Sequence, residues 1–233
     1  MKKINTIIIL AVLLFMVTKL NAQEKMNVNY RNGTTLTVIV SEIDSITFTL
    51  SEQEEEGVVI NGIRWATRNV DIPGTFTAKP EDAGMFYQWN RKVGWSSTDP
   101  IINSNGGTTW DYSTPSGTTW EKTNDPCPAG WRVSKDSEMC SLAEVDGQCT
   151  TLNGVSGYLF GSGEQSIFLP SVGRRNPKLD EIDWFGYYWS SSMCESPHAF
   201  HLSFCSLDNG SCHVSPHGCY WRNFGMSVRC VAE

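Results

Sequence analysis

The sequence predicts an α+β fold with far more strand than helix, and three observations carry that prediction. Residues 132–145, RVSKDSEMCSLAEV, hold the one convincing helix, with Met139, Leu142 and Val145 recurring at helical spacing. Beyond Ile167 the chain breaks into short strand-like runs: SIFLPSVG, FGYYWSSS, HAFHLSF, CHVS and GMSVRCVAE. Twenty glycines, ten prolines and nine tryptophans, with modest charge, imply many loops around a few aromatic-rich strands.

Taken in order, the chain opens with Met1-Lys2-Lys3 and an eleven-residue apolar run at 7–17. That run is shorter than the roughly 20 residues needed to span a bilayer. With small residues at Leu20-Asn21-Ala22 it reads as a secretory signal, residues 1–22, cleaved before Gln23. Residues 23–51 form a small β unit. Val28 and Tyr30 alternate with polar residues before Asn32-Gly33, and Leu36, Val38 and Val40 alternate after it, the pattern of a hairpin. SITFTL at 45–50 is a candidate third strand. The acidic run at 52–56 reads as a solvated linker. Residues 57–233, roughly 175 in all, are enough for one hydrophobic core. This domain begins with a β-rich stretch carrying an Asn61-Gly62 turn, and passes through Gly- and Thr-rich loops to the helix. Ser134 is the expected N-cap, with Asp136 and Glu138 favouring the first turn.

Charge and cysteine content narrow the function classes. Without residues 1–22 the chain keeps 15 basic against 25 acidic residues, a net charge near −10. Such a surface repels phosphate backbones and anionic lipid, so no nucleic-acid partner is expected. No second apolar stretch of spanning length follows, so no membrane span is expected after cleavage. Eight cysteines in an exported chain point to disulfides and to the periplasm, the outer surface or the extracellular space.

Six blocks in fixed order carry a family resemblance: WATRNVD at 65–71, GMFYQWN at 84–90, DPCPAGWRVS at 125–134, LPSVGRR at 169–175, GYYWSSS at 186–192 and SVRCV at 227–231. Together they resemble the Fibrobacter succinogenes major paralogous domain, common in exported proteins of Bacteroidetes. EIDSITF at 42–48 is similar to a leader strand often found before such domains. The resemblance covers residues 58–233 and implies a C-type-lectin-like domain. It also implies that Trp65, Trp89, Trp131 and Trp189 are core, and that Cys127 and Cys230 are bridged. That bridge would close a loop of about 103 residues, stabilising by roughly 4–5 kcal/mol on chain-entropy grounds. Cys140 and Cys149 fall outside the pattern and are candidates for a local bridge.

All four histidines and half of the cysteines lie in residues 194–219. His213 and His217 are four apart, but Pro216 forbids the regular helix that would set both on one metal. His198 and His201 point to opposite faces of a strand. No metal and no cofactor are therefore expected. The Glu-Pro-Asn, Gln-Pro-Asp and Trp-Asn-Asp runs of calcium-dependent lectins are missing, with Trp110-Asp111-Tyr112 a weak approach. No nucleophile elbow and no phosphate-binding glycine loop occurs, so no enzyme is expected.

In AFHLSFC, parity places Phe200, Leu202 and Phe204 on one face and His201, Ser203 and Cys205 on the other, expected to be outward. Between Cys194 and Tyr220 there is no lysine, glutamine or tryptophan. The residue types present are those reached by randomising adenines of asparagine codons. The pattern resembles the variable region of diversity-generating-retroelement target proteins. The expected display is Cys194, His198, His201, Ser203, Cys205, Asp208, Asn209, Cys212, His213, His217, Cys219, Tyr220 and Trp221. The function expected is an exported adhesin-type module whose surface at about 193–221 binds a protein or glycan on another cell, a phage or a host. The alternative is a static fimbrial-tip or envelope subunit, partnered by other such subunits, with Cys194, Cys205, Cys212 and Cys219 forming two bridges that pin the loop.

Overall fold

The computed structural model describes residues 25–29, 35–39, 57–206 and 212–233. The chain divides into two compact units, Met1–Gln53 and Glu54–Glu233. The signal at 1–22, the Asn32-Gly33 turn, the strand at 45–50, the acidic run at 52–56, and Asp208 and Asn209 lie outside the described residues. In the first unit β1 (Lys25–Asn29) and β2 (Thr35–Ile39) pair antiparallel, with Met26 opposite Val38 and Val28 opposite Leu36. The alternating runs predict this pairing.

The second unit is strand-rich around one α-helix among the described residues. It begins with β3 (Val58–Ile60) and β4 (Ile63–Trp65), joined by Asn61 and Gly62 at φ of 50° and 79°. Positive φ at both central residues makes a type I′ turn, whose twist matches the strands. Next come β5 (Phe86–Gln88), β6 (Gly94–Trp95), a 3₁₀ turn at Lys122–Asn124, β7 (Trp131–Val133) and α1 (Asp136–Ala143). A meander of β8 (Gly147–Leu152), β9 (Val155–Ser162) and β10 (Gln165–Pro170) follows, then β11 (Arg174–Asn176) and β12 (Lys178–Asp180). The last five strands are β13 (Phe185–Met193), β14 (His198–Ser206), β15 (Cys212–Trp221), β16 (Gly225–Met226) and β17 (Cys230–Ala232). The fifteen described strands of this unit form four sheets, ordered β3-β4-β17-β7, β12-β11-β16-β5-β6, β10-β9-β8 and β13-β14-β15. The last strand thus lies between β4 and β7, tying the end of the unit to its beginning.

The helix starts where Glu138 accepts the Lys135 backbone N–H at 2.7 Å, and Arg132 holds that carboxylate through both guanidinium nitrogens at 2.9 and 2.6 Å. Lys135, not Ser134, is therefore the N-cap. Ser134 is buried one residue earlier, and its Oγ has no partner among the described residues. Met139 and Leu142 enter a core with Phe160, Leu169, Tyr188, Leu202 and Phe204, against which Val145 packs. A second core holds Tyr87, Trp89, Trp189, Ala199, Met226 and Val228. Of the four expected core tryptophans, Trp65, Trp89 and Trp189 are fully buried, while Trp131 is half-buried edge-on to Phe76.

Three buried arginines bind loops to sheets by satisfying carbonyls that would otherwise be stranded. Arg229 donates to Asn69 Oδ1, Ala66 O and Phe168 O at 2.8–3.1 Å. Arg175 donates to the carbonyls of Ser96, Thr98 and Pro177 and to Asp99. Arg222, stacked 4.3 Å over Trp89, donates to the carbonyls of His198, Pro115 and Gly117.

Three disulfides are formed. Cys127–Cys230, separated by 103 residues, fastens the segment before β7 to β17 as the resemblance implies. Cys149 pairs with Cys212 across 63 residues, so the local Cys140–Cys149 bridge does not form. Cys194 pairs with Cys219. Cys205 is unbridged and buried, so the two bridges expected among the four tail cysteines reduce to one within the tail and one reaching out of it to β8.

Candidate functional site

The tail residues are held by the β13-β14-β15 sheet. β13 lies against β14 with Tyr187 opposite Ser203 and Trp189 opposite His201. β14 lies against β15 with His198 opposite Trp221, Ala199 opposite Tyr220 and His201 opposite Gly218. The register then shifts, so that Ser203 faces Ser215. The extra β15 residue is a bulge at Pro216-His217, which accommodates a proline without an N–H to donate.

One face of the sheet packs on α1. Leu202 and Phe204 enter the core there, Phe200 is half-buried, and Cys212 and Val214 pack alongside. The opposite face is not the open display that parity alone suggests. His201 is only 5 % exposed, with ring centroids of Tyr187, Trp189 and Tyr220 at 5.8–6.0 Å. Cys205 is buried as well, and Ser203 is half-buried. The physical reason is that this sheet is covered on both sides. Parity decides which side chains share a face, but not whether a second layer covers it. Gly218 makes room for the imidazole, since a Cβ there would lie 2.4 Å from His201 Cε1. Desolvation, with Arg174 adding repulsion, pushes His201 down to about 4, so the ring is neutral at pH 7.

Arg174 organises the outer part of that face. Its guanidinium lies 4.7 Å over Tyr187, 4.4 Å over Tyr220 and 5.5 Å over Phe224, and pairs with Glu181 at 3.0 Å. Glu181 also accepts the Tyr187 hydroxyl at 2.6 Å. Burial, then that hydrogen bond, raises Tyr187 above the usual phenol range. Trp184, beside this group in sequence, is 60 % exposed. Of these residues only Tyr220 belongs to the expected display; Tyr187 joins the His201 face through its pairing opposite Ser203.

The eleven expected display residues that are described do not gather into one surface. His213, Ser203 and Tyr220 share the Arg174 side of the sheet, whereas His217, Cys219 and Trp221 share the α1 side. His213 and His217 are exposed, and Trp221 is 49 % exposed with its ring edge-on to His198 at 4.5 Å. Cys194, Cys212 and Cys219 are consumed in bridges.

Two features adjoin the sheet. A cleft of about 610 Å³ is lined by Gln88, Arg91, Trp95, Asp111, Ser116 and Glu121, among others. It is joined to the end of β15 by Gln88, which donates to the carbonyls of Asp111 and Asn223, and by Asn223, which donates to that of Tyr112. Hydrogen bonds from Ser113 and the Arg91 ion pair lower the Asp111 carboxyl below its ordinary range. The second feature is a donor cluster at the β15 bulge. His217 Nδ1 lies 2.9 Å from Asp136 Oδ2 and 3.6 Å from Cys140 Sγ. Burial, above all, raises both Asp136 and Cys140 above their ordinary values. Sequence spacing could not find this group, because 77 and 81 residues separate His217 from its partners. Asp136 and Cys140 are one turn apart on the helix, the only local hint.

No helix of the described residues is long and apolar enough to cross a membrane. No known protein family, curated protein or solved structure matches the chain.

Proposed function

We propose that this chain is an exported ligand-binding module of adhesin type. Its domain is C-type-lectin-like, of the Fibrobacter succinogenes major paralogous kind suggested by the six sequence blocks. The recognition strip is β15 with the open parts of β14, and the ligand is a protein or glycan on another surface. One observation carries this reading: β15 is an edge strand whose His213, His217 and Trp221 reach solvent while cross-links fix the backbone beneath them. A rigid support beneath exposed aromatic and imidazole groups lowers the ordering cost of binding. Exposed Tyr112, next to the same corner, extends the aromatic surface.

Retroelement diversification, if it acts on this tail, is confined by the fold to side chains that reach solvent. Those are His198, Ser203, His213, Tyr220 and Trp221, with Asp208 and Asn209 beyond the described residues, while His217, although exposed, is tied to Asp136. His201 and Cys205 are packed, and Cys194, Cys212 and Cys219 hold bridges, so variation there would damage the support.

The binding reading is tested with the mature chain and a His213→Ala/His217→Ala/Trp221→Ala variant on fixed bacterial cells and a glycan array. Loss of binding with an unchanged melting temperature supports the strip, and equal binding by both proteins rejects it. The static-subunit reading is favoured by Cys149–Cys212, because a fixed cysteine outside the tail has its partner inside it. Deleting residues 25–50 separates the two. A fimbrial or envelope subunit loses its incorporation at the surface, whereas a free binding module does not.

A further inference from the structure

The grouping at the β15 bulge has a geometry that an ordinary ion pair does not require. Asp136 and Cys140 sit four residues apart on α1 and so share one face of the helix. The Pro216-His217 bulge turns His217 toward that face, where its ring stacks on Phe200 at 4.3 Å and 25°. Sulfur, nitrogen and carboxylate oxygen then all lie within 4.8 Å of one another. Both the thiol and the carboxylate approach the same ring nitrogen, Nδ1. A Cys-His-Asp nucleophile relay needs them on different nitrogens, so the arrangement is not that relay. It is instead three donors around a common point.

We propose that Asp136, Cys140 and His217 bind a zinc-like divalent cation, with the fourth position open to water. Tetrahedral zinc, with bonds near 2.3 Å to sulfur and 2.0–2.1 Å to nitrogen and oxygen, separates sulfur from nitrogen by roughly 3.6 Å and nitrogen from oxygen by roughly 3.3 Å. The Cys140–His217 distance is 3.6 Å, the Asp136 oxygens lie 2.9 and 3.1 Å from the ring nitrogen, and sulfur and carboxylate are within 4.8 Å. A cation would therefore draw the thiol and the carboxylate around itself by side-chain adjustment alone. Mixed sulfur, imidazole and carboxylate donors suit zinc better than calcium or magnesium, which take oxygen. A metal ligand role also accounts for an unbridged, partly exposed thiol in a chain with three disulfides. Six of the eight cysteines are bridged, and the other free thiol, Cys205, is buried on the far side of β14. His217 is 59 % exposed, leaving one side of the group accessible.

The test uses the full mature chain, stripped with a chelator and titrated with Zn²⁺ by calorimetry and with Co²⁺ by absorption. The expected result is one cation per chain, with a thiolate-to-cobalt charge-transfer band in the near ultraviolet. Cys140→Ser should abolish that band. His217→Ala should weaken binding by more than roughly 100-fold, beyond the cost of losing an outer-shell partner. His213→Ala, on the other side of the sheet, should change neither, and circular dichroism of all three variants checks that the fold persists. Absence of stoichiometric binding overturns the proposal, as does binding that survives both Cys140→Ser and His217→Ala.

Discussion

His201 and Gly218 form a matched pair, a buried neutral imidazole lying against a position with no side chain. A Gly218→Ala variant brings a methyl group 2.4 Å from the ring carbon, and overpacking of this kind costs about 1–3 kcal/mol. Melting temperatures of Gly218→Ala, His201→Ala and the double variant should show strong coupling, with the second substitution cheap once the first is made. Additive effects would mean that the two residues do not touch as described. The same histidine gives a pH dependence of definite sign. Its folded value, about 4, lies below the unfolded 6.5, so the unfolded chain takes up the proton first. Its stabilising contribution is therefore complete above pH 6.5 and is lost as pH falls toward 4, by on the order of 3 kcal/mol. Asp71 and Asp125, both raised mainly by burial, act in the opposite direction as they protonate. Comparison with His201→Asn isolates the histidine: the decline in melting temperature between pH 6.5 and 4 should be shallower in the variant, and parallel curves would contradict the assignment.

At the scale of elements, the disulfides decide how firmly β15 is held. Cys194–Cys219 closes a segment of 25 residues, and its removal by Cys194→Ser/Cys219→Ser should cost roughly 3 kcal/mol on chain-entropy grounds. Thermal unfolding without reductant measures this. Alkylation of the denatured, unreduced chain should label Cys140 and Cys205 alone, and labelling of any other cysteine would contradict the pairing. The elements themselves were unevenly legible. Asn61-Gly62 predicts the β3–β4 turn, and the spacing of Met139, Leu142 and Val145 predicts α1. The β8–β9 hairpin carries an equally good signal in Asn153-Gly154, at φ of 50° and 87°, yet the GQCTTL strand, with no buried residue, lacks the apolar alternation that draws attention to such a turn. The start of α1 moved by one residue because a side chain three positions on, Glu138, satisfies the cap and Ser134 does not.

At the scale of the whole molecule, stability depends on long-range ties that local sequence cannot announce. Eight cysteines allow 105 complete pairings, and the one pairing foreseen, Cys127–Cys230, came from family resemblance rather than spacing. Arg229 is another such tie. Arg229→Met leaves Asn69 Oδ1 and the carbonyls of Ala66 and Phe168 without their donor in a dry interior, a loss of about 3–5 kcal/mol by chemical denaturation. Retention of wild-type stability would show that water replaces the guanidinium. The same limit explains the candidate site. The tail composition is visible in sequence, whereas the division of its residues between two faces, the burial of His201 and the meeting of His217 with α1 follow from layers that only the fold supplies.

The central proposal is that β15, with the open parts of β14, is a recognition strip set on a cross-linked support. Deep sequencing of the 3′ end of the gene, from the Gly186 codon onward, across a population of the source cells tests it most directly. The account predicts substitutions concentrated at His198, Ser203, His213, Tyr220 and Trp221, with Cys194, His201, Cys205, Cys212, His217 and Cys219 unchanged. Invariance across the whole stretch, or variation spread equally over the bridged and buried positions, would contradict it.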